Sequence, residues 1–206
     1  MNIKMKTNLI LIRHAKSRGN AEKRLQGRDD SPLGEEGLIQ AELLKNCLSN
    51  EPIDVVYCSP LKRAVDTAEI SMLQKNIPFI KEEGLLERNF GILDGLKLED
   101  LKKMHPSAKQ FFHGQKTELN FGGIETIPNL TARSTNALKK IVNENQGKTI
   151  AIVSHLFWIK SILSKILEQP YKETAKNYRI GNASITTLTH ENEKFTIEKI
   201  GEKEHL

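Results

Sequence analysis

The sequence predicts one α/β domain, built as a three-layer α/β/α sandwich with a mostly parallel central sheet and a lid-like insertion. Two observations carry this prediction. Short apolar runs alternate with stretches of helical hydrophobic spacing, as in sheets that have helices on both faces. The 206 residues also suffice for one sizeable hydrophobic core. We therefore assign residues 1–206 to a single domain, with the insertion at about 88–127.

The first half of the chain supplies alternating strands and helices. Asn8 to Ile12 and Ile53 to Tyr57 are predicted as buried strands, and Ile77 to Ile80 as a third. Helical spacing predicts a helix between the first two strands, after two glutamates that suit the positive end of the helix dipole. The apolar face of this helix consists of Leu38, Ala41, Leu44 and Leu48.

A second helix is predicted directly after the second strand. Ser59 and Pro60 are typical of the N-cap and the first-turn proline of a helix. The apolar face of this helix consists of Leu61, Ala64, Val65, Ala68 and Met72. The spacing places a helix against the sheet immediately beyond the strand end.

The second half of the chain completes the sheet. Thr149 to Val153 is predicted as a strand of the buried parallel type, between helices at Leu130 to Val142 and Leu156 to Leu167. Ser184 to Leu188 and Lys194 to Ile200 predict a terminal hairpin. The last two strands should therefore run antiparallel to each other.

The charge composition argues against a nucleic-acid partner. The net charge is +5, but 31 basic residues are interspersed with 26 acidic ones, and no block of like charge resembles a nucleic-acid-binding arm. A hydrophobic fraction of 38% and a charged fraction of 28% are typical of a globular protein. The basic balance could suit a nucleic acid, an anionic surface or an anionic substrate, but the mixed charges favour an ordinary protein surface.

The cysteines and the N-terminus predict a cytoplasmic protein. Cys47 and Cys58 form no CxxC motif, which argues against a metal or redox site and leaves free thiols or a single disulfide as alternatives. Two lone cysteines in a chain of this size are typical of a reducing compartment. The apolar run Leu9 to Ile12 is interrupted by Arg13, so it is too short for a signal peptide or a membrane span.

Charged and polar side chains follow three of the predicted strands. The first strand runs into Arg13 and His14, a later strand into His155, and the second strand into a helix that carries Arg63 in its first turn. Ligands of open α/β sheets bind beyond the carboxyl ends of the strands. Two histidines and two arginines should meet there, and the natural partner of that set is a bound anion, since arginine can recognise phosphate oxygens in a bidentate manner.

Each of these residues also has a plain structural interpretation when taken alone. A single histidine after a strand is more often a capping or surface group, Arg63 alone would be a solvated helix residue, and Arg13 alone an ion-pair partner. The joint pattern is much less probable by chance than any one member. The close local spacing, RH at one strand end and SP-x-x-R at the next, favours a shared site.

Five segments of the chain resemble the signatures of the histidine phosphatase superfamily, the phosphoglycerate-mutase-like proteins. They are LIRHAKSRGNAEKRLQGRDDSPLGEEG, YCSPLKRAVDTAEI, LLERNFGILDG, IVSHL and GNASITTL. The resemblance spans roughly residues 8 to 190, and the order of its motifs makes it specific. It implies a phosphatase that hydrolyses a small phosphate monoester without a metal or a cofactor.

The resemblance also implies a role for each residue. His14 would be the nucleophile that carries a transient phosphohistidine, and Glu87 the general acid that protonates the leaving oxygen. The clamp on the phosphoryl oxygens would be Arg13, Arg63 and His155. The substrate pocket would be lined by Asn20, Gln26, Gly27 and Leu156.

Elementary chemistry agrees with the two central roles. A histidine attacks phosphorus only when its reacting nitrogen is neutral, and two nearby arginines lower its pKa by like-charge repulsion. An alkoxide leaves poorly unless it is protonated, and burial would keep the Glu87 carboxyl in its acid form. The plain alternative for Glu87 is an ordinary loop carboxylate.

The sequence departs from the family pattern in a few positions. Ala15 replaces the usual glycine after the nucleophile, and Leu156 stands where many relatives carry glycine, which would narrow the pocket. The RHAKS opening resembles some phosphohistidine phosphatases, but the acid at Glu87 favours an ester substrate. Glu125 matches a family glutamate only with an extra residue before it, and we assign it no catalytic role.

The insertion between Arg88 and Ile127 should set specificity. It includes a predicted helix near Glu99 to Phe112. One interpretation is a lid over a multiply anionic or nucleotide-like metabolite, and the other is a solvated amphipathic helix with two core phenylalanines. The residues concerned are Lys97, Lys102, Lys103, His105, Lys109, Phe111, Phe112, His113 and Lys116.

Several alternatives stay open at this point. A mutase would return the phosphoryl group to a second hydroxyl, but such mutases are usually longer than 206 residues. A phosphohistidine phosphatase or a non-enzymatic module of the same fold that binds phosphorylated ligands are further alternatives. The expected partner is a small phosphorylated metabolite, with neither nucleic acid nor membrane. The oligomeric state is open, with a homodimer as one alternative.

Overall fold

The computed structural model describes residues 5–104 and 123–206, and it confirms the α/β class. Within these ranges six strands form one sheet. The strands are β1 (Thr7–Arg13), β2 (Val55–Cys58), β3 (Phe79–Lys81), β4 (Thr149–Ser154), β5 (Ile185–Glu191) and β6 (Lys194–Glu202). All the predicted strands are present, with ends shifted by at most three residues.

The sheet has the order β3-β2-β4-β1-β5-β6. β1, β2, β3 and β4 are mutually parallel, and β5 and β6 join as an antiparallel hairpin against β1. Arg13 at the end of β1 is in register with Ser154 at the end of β4, and Cys58 at the end of β2 with Val153. The carboxyl ends of three strands therefore meet at one edge of the sheet.

The helices cover both faces of the sheet. They are α1 (Arg18–Ala21), α2 (Glu35–Leu48), α3 (Lys62–Ser71), α4 (Leu98–Met104), α5 (Ile127–Glu144), α6 (Leu156–Ile166) and α7 (Tyr171–Asn177), with short 3₁₀ turns at Glu83–Leu85 and Gly91–Leu93. The short helices α1 and α7 were not predicted, because four or seven residues carry too little periodicity to stand out.

Two separate hydrophobic cores confirm the three layers. On one face α2 and α3 pack against the sheet, with Leu44 and Ala64 fully buried among the strand residues. On the other face α5 and α6 pack in the same way, with Ile141 and Trp158 fully buried. Trp158, the only tryptophan of the chain, also donates its indole N–H to the carbonyl oxygen of Gly84 at 2.8 Å.

Two predictions about the helices were wrong. α3 begins at Lys62 with Leu61 at its N-cap position, so Ser59 and Pro60 precede the helix instead of starting it. The hydroxyl of Ser59 faces the site described below. In α2, Leu38 is 47% exposed. The face that packs against the core consists of Gly37, Ala41, Leu44 and Leu48, and Leu38 lies beside this face.

The insertion is described only in part. α4 begins within one residue of the predicted helix, and its Leu101 is fully buried with Phe90 and Leu93 in a small third core. The remainder of that helix and the predicted lid residues from His105 to Lys116 lie outside the described residues. In the part of the chain that the structure describes, no helix is both long and apolar enough to span a membrane.

Candidate active site

The ends of β1 and β4 bring the two predicted histidines together. The backbone N–H of His14 donates to the carbonyl of Ser154 at 2.9 Å, which fixes the end of β1 beside the end of β4. The rings of His14 and His155 have their centroids 5.1 Å apart. Both side chains are buried. The prediction that separate strand ends deliver residues to one place is therefore confirmed for this pair.

The hydrogen bonding of His14 leaves one ring nitrogen ready to react. Its Nδ1 lies 2.8 Å from the carbonyl oxygen of Ala15, and because a carbonyl can only accept, the proton belongs on Nδ1. Burial, followed by the charges of Arg63 and Arg13, holds the pKa of His14 well below its ordinary value. The ring is thus neutral near pH 7, with its lone pair on Nε2.

The second histidine is oriented by Ser59. The Oγ of Ser59 accepts the Leu61 N–H at 3.4 Å and lies 2.7 Å from Nε2 of His155, to which its hydroxyl hydrogen can donate. Burial and then the charge of Arg63 hold the pKa of His155 well below its ordinary value. A neutral His155 then carries its proton on Nδ1, as a donor for an anion.

Arg63 is fixed in the first turns of α3 by the loop after α1. Its Nη1 donates to the carbonyl of Asp29 at 2.7 Å and its Nη2 to the carbonyl of Gly27 at 2.9 Å. The side chain is 1% exposed. These backbone acceptors hold the guanidinium in place without neutralising its charge, so the charge remains available to a ligand.

Arg13 is held in a similar manner from the other side. Its Nη1 donates to the carbonyl of Ile180 at 2.6 Å. Burial, partly offset by the charge of Glu87, lowers the pKa of Arg13 to about 10, so it remains a cation near pH 7. We call Arg13, His14, Arg63 and His155 the phosphate cluster.

The phosphate cluster contains buried donors with no partner. Within the described ranges, Nε of Arg13, Nε of Arg63 and Nδ1 of His155 are buried and make no hydrogen bond. Burying an unpaired donor costs about 1–3 kcal/mol, and more when the group is charged. Proteins accept this cost where a ligand supplies the missing acceptors. The donor set here matches the oxygens of a phosphoryl group.

Glu87 is buried and interacts electrostatically with Arg63 and Arg13 of the cluster. Its carboxylate accepts the backbone N–H of Arg88 at 2.8 Å and that of Phe157, in the first turn of α6, at 3.2 Å. Burial raises the pKa of Glu87, although those N–H groups and the charges of Arg63 and Arg13 oppose the rise. The carboxyl is thus buried and biased towards its acid form.

Of the other predicted pocket residues, Asn20 and Gly27 are linked to the cluster by hydrogen bonds. The Oδ1 of Asn20 accepts the amide N–H of Asn182 at 3.1 Å, and Asn182 also donates to the carbonyl of His14. The Oε1 of Gln26 accepts from Ser17, and among the described residues its buried Nε2 finds no acceptor. Gly27 binds Arg63 through its carbonyl and Asp94 through its N–H.

A side chain at position 27 would not fit. A Cβ there would lie 2.4 Å from the carbonyl oxygen of Arg88 and 2.5 Å from a carboxylate oxygen of Asp94, closer than real Cβ contacts occur. Gly27 therefore allows the loop to approach the segment that carries Glu87. This requirement is steric, since the loop that binds Arg63 and the segment after Glu87 are in direct contact.

The two departures from the family pattern are accommodated differently. Ala15 is fully buried in the core on the α2 and α3 face, and its N–H donates to Thr67 Oγ1 at 2.9 Å. Its methyl group thus contributes to that core. Leu156 is the first residue of α6 and packs half-buried against the other core.

Sequence reasoning missed several residues that hold the site in place. Ser59 was assigned to a helix cap, and Thr67, Asp94 and Asn182 were not singled out. Each acts on a residue far away in the chain, so no local pattern reports it. All four lie in segments that resemble the family signatures, but the resemblance gave none of them a role in the site.

The family comparison covers nearly the whole chain. A family model described as "Histidine phosphatase superfamily (branch 1)" matches residues 9–203. The match includes every residue of the phosphate cluster and Glu87. It extends over both cores and the terminal hairpin.

Named relatives fall into two groups. The chain is 30% identical over 202 residues to "Phosphoglycerate mutase-like protein 4" of Arabidopsis thaliana, covering 96% of this chain and 86% of the relative. It is 31% identical over 200 residues to "Phosphoserine phosphatase 1" of Hydrogenobacter thermophilus, covering 96% and 93%. Among solved structures, a phosphoserine phosphatase of Entamoeba histolytica in complex with phosphoserine superposes with a TM-score of 0.83 at 29% identity, covering 97% and 99% of the two chains.

Proposed function

Because this chain belongs to the histidine phosphatase superfamily, we propose that it hydrolyses a small phosphate monoester through a phosphohistidine formed on His14. One observation carries the proposal. A neutral histidine with a free Nε2 lies among buried cationic donors that lack acceptors, close to a carboxyl whose pKa is raised. Phosphoryl transfer needs this combination of nucleophile, charge clamp and acid.

The first step breaks the ester bond. Nε2 of His14 attacks phosphorus and forms the N–P bond, while the bond from phosphorus to the ester oxygen breaks. The Glu87 carboxyl transfers its proton to that oxygen, so the leaving group departs as a neutral alcohol. Arg13, Arg63 and the Nδ1–H of His155 bind the three non-bridging oxygens, whose charge they stabilise.

The second step releases inorganic phosphate. Water attacks the phosphohistidine, Glu87, now a carboxylate, takes a proton from that water, and the N–P bond breaks. The Nδ1–H of His14 stays hydrogen-bonded to the carbonyl of Ala15 throughout, which stabilises the positive charge on the phosphorylated ring. The enzyme returns to its starting protonation state.

We propose a substrate whose alcohol part is small and carries a carboxylate, of the phosphoserine or phosphoglycerate kind. The names of the relatives support this class, since they include phosphoserine phosphatases and phosphoglycerate-mutase-like proteins. We propose further that residues 88–127 form an insertion of a single domain and select the substrate. Free Cys47 and Cys58 support a reducing, cytoplasmic location.

The experiment is a phosphate-release assay in the presence of EDTA, with phosphoserine, 3-phosphoglycerate and an aryl phosphate as substrates. We expect release of inorganic phosphate from phosphoserine and from the aryl phosphate. Interconversion of phosphoglycerates without phosphate release would assign a mutase instead. Binding of phosphorylated compounds without any turnover would assign a binding module.

A further inference from the structure

Arg133 on α5 directs its whole guanidinium at the segment that carries Glu87. It makes five hydrogen bonds, which equals the number of N–H donors in a guanidinium. Nη1 donates to the carbonyls of Gly84 and Leu86 at 3.0 and 2.9 Å, and Nη2 to the carbonyl of Glu87 at 3.3 Å. Nε and Nη2 also bind the two carboxylate oxygens of Glu125, each at 2.9 Å.

Glu125 extends this contact to the other side of Glu87. Its carboxylate accepts the N–H of Asn89 at 3.2 Å, and its backbone N–H donates to the carbonyl of Asn89 at 2.9 Å. Its carbonyl accepts Nε of Arg88 at 2.7 Å. Arg133 and Glu125 together therefore bind the backbone before and after Glu87. We call residues 84–89 the acid segment.

The Glu125–Arg133 ion pair is partly buried and stays ionised near neutral pH. The side chains of Arg133 and Glu125 are only 23% and 14% exposed. Burial alone would raise the pKa of Glu125, but the hydrogen bond and charge of Arg133 lower it overall, so the carboxylate stays ionised. A bidentate, charge-assisted pair of this kind has one geometry and resists displacement.

The acid segment needs such support because little regular structure holds it. It begins within the 3₁₀ turn Glu83–Leu85, and the carbonyls of Gly84, Leu86 and Glu87 meet at one guanidinium. Buried backbone carbonyls must find donors, and Arg133 supplies them. A general acid must also be placed accurately, since a displacement of about 1 Å can cost about 10²-fold in rate.

We propose that the Glu125–Arg133 pair is a positioning device for the general acid: it fixes the acid segment so that the Glu87 carboxyl meets the leaving oxygen. The pair makes no hydrogen bond to the phosphate cluster, and its hydrogen bonds to the site go to the acid segment that holds Glu87. The inference rests on the proposed acid role of Glu87. The sequence analysis assigned Glu125 no catalytic role, and the structure gives it a positioning role instead.

The test uses leaving groups of different acidity. For Arg133→Lys, Glu125→Gln, Glu87→Gln and the wild type, kcat/KM is measured on phosphoserine, a poor leaving group, and on 4-nitrophenyl phosphate, a good one. The quantity of interest is the ratio of the two values. This ratio is independent of the fraction of folded enzyme, so a partly unfolded variant still gives an answer.

A displaced acid should harm only the poor leaving group. We expect Glu87→Gln to lower the ratio by about 10²-fold or more, since general acids contribute about 10²–10⁴-fold. Arg133→Lys and Glu125→Gln should each lower it by about tenfold, while 4-nitrophenyl phosphate is affected much less. Combining Arg133→Lys with Glu87→Gln should lower the ratio no further than Glu87→Gln alone, because both act on one group.

Lys140 offers a matched control. It lies on the same helix and forms an ion pair at 2.6 Å with Glu82, just before the acid segment, but it binds none of the segment's carbonyls. Lys140→Met removes an ion pair between the same two parts of the chain. The ratio should stay at the wild-type value in this variant.

The outcomes separate this inference from the proposed function. Equal losses on both substrates in Arg133→Lys and Glu125→Gln, or a further fall of the ratio in the double variant, would overturn the positioning role while Glu87 keeps its own. If Glu87→Gln itself leaves the ratio unchanged, the acid role in the proposed function fails, and the inference fails with it.

Discussion

The phosphate cluster and the acid segment differ in how far their buried polar groups are hydrogen-bonded. In the cluster, Nε of Arg13, Nε of Arg63 and Nδ1 of His155 find no acceptor in the described chain. In the acid segment, the backbone carbonyls are occupied by Arg133, by Trp158 and by Ser154, whose Oγ donates to Leu85 at 2.7 Å.

This difference shows how binding and positioning are divided between the two regions. Unpaired donors cost stability but gain strength when an anion arrives. Paired carbonyls add rigidity where a proton must be delivered to one atom. The predictions below test each half of this comparison, from the largest expected effect to the smallest.

Removing the nucleophile should have the largest effect. We expect His14→Ala to lose about 10⁴-fold or more in kcat on good and poor leaving groups alike, because the side chain that forms the phosphohistidine is removed. Steady-state assays on both substrates check this, and circular dichroism checks the fold. His190→Ala, a change of a half-buried histidine on the terminal hairpin, is the control. Substantial turnover by His14→Ala would remove His14 from the mechanism.

The acid should impose a pH limit on poor leaving groups. Burial raises the pKa of Glu87, and the acid is useful only while protonated, so its contribution is present below that pKa and lost as pH rises through it. On phosphoserine, log kcat/KM should therefore fall by about one unit per pH unit on the alkaline side. Ionisation of the substrate phosphate, near pH 6, should affect the wild type and Glu87→Gln equally.

The pH–rate profile of Glu87→Gln tests whether Glu87 causes the alkaline fall. In this variant the alkaline fall should disappear, and the remaining rate should follow the substrate ionisation alone. A fall that persists unchanged in Glu87→Gln would mean that another group is the acid. The comparison of the two profiles on 4-nitrophenyl phosphate, where little difference is expected, serves as the internal control.

An anion should stabilise the phosphate cluster. Inorganic phosphate or orthovanadate at about 100 times its Kd should raise the free energy of unfolding by about 2.7 kcal/mol. This corresponds to a rise in Tm of about 5–10 °C for a chain of this size. Arg63→Lys should reduce the shift, since lysine cannot reproduce the guanidinium contacts. The control is Arg179→Lys, an exposed position. An equal shift in all three proteins would place the anion elsewhere.

The smallest expected effect is on the pH dependence of stability. Burial lowers the folded pKa of His14 and of His155 well below 6.5, so below pH 6.5 the unfolded chain binds protons that the folded chain does not. Stability should fall as pH drops through this window, by about 1.4 kcal/mol per pH unit for each histidine.

Urea denaturation at several pH values measures that slope. His155→Asn should reduce it by about 1.4 kcal/mol per pH unit, because one of the two groups no longer titrates on unfolding. A slope unchanged by His155→Asn would show that the histidine is protonated in the folded enzyme.

The parts of the molecule that sequence predicted well are those with local patterns. β1 and β4 were placed from apolar runs, and the residues that follow them, His14 and His155, do meet. The family resemblance is confirmed over residues 9–203. Hydrophobic patterns that locate the strands suffice to predict that His14 and His155 meet, because parallel strands end at one edge of the sheet.

What the sequence did not reveal depends on contacts between distant residues. Ser59 resembles a helix cap in its local setting, and only the fold places it against His155, 96 residues away. Arg133 is an ordinary basic residue of α5 until the acid segment is placed beside it. A hydrogen bond from a side chain to a distant backbone carbonyl leaves no periodic pattern in the sequence.

The contact between Trp158 and Gly84 turns the chain's single tryptophan into an optical reporter. Its indole N–H donates to the same carbonyl that Arg133 binds, so its emission senses the polarity and geometry at the start of the acid segment. No label is needed, and no second indole contributes background. Stopped-flow fluorescence can therefore follow that part of the enzyme during a single turnover, while product formation is recorded in parallel.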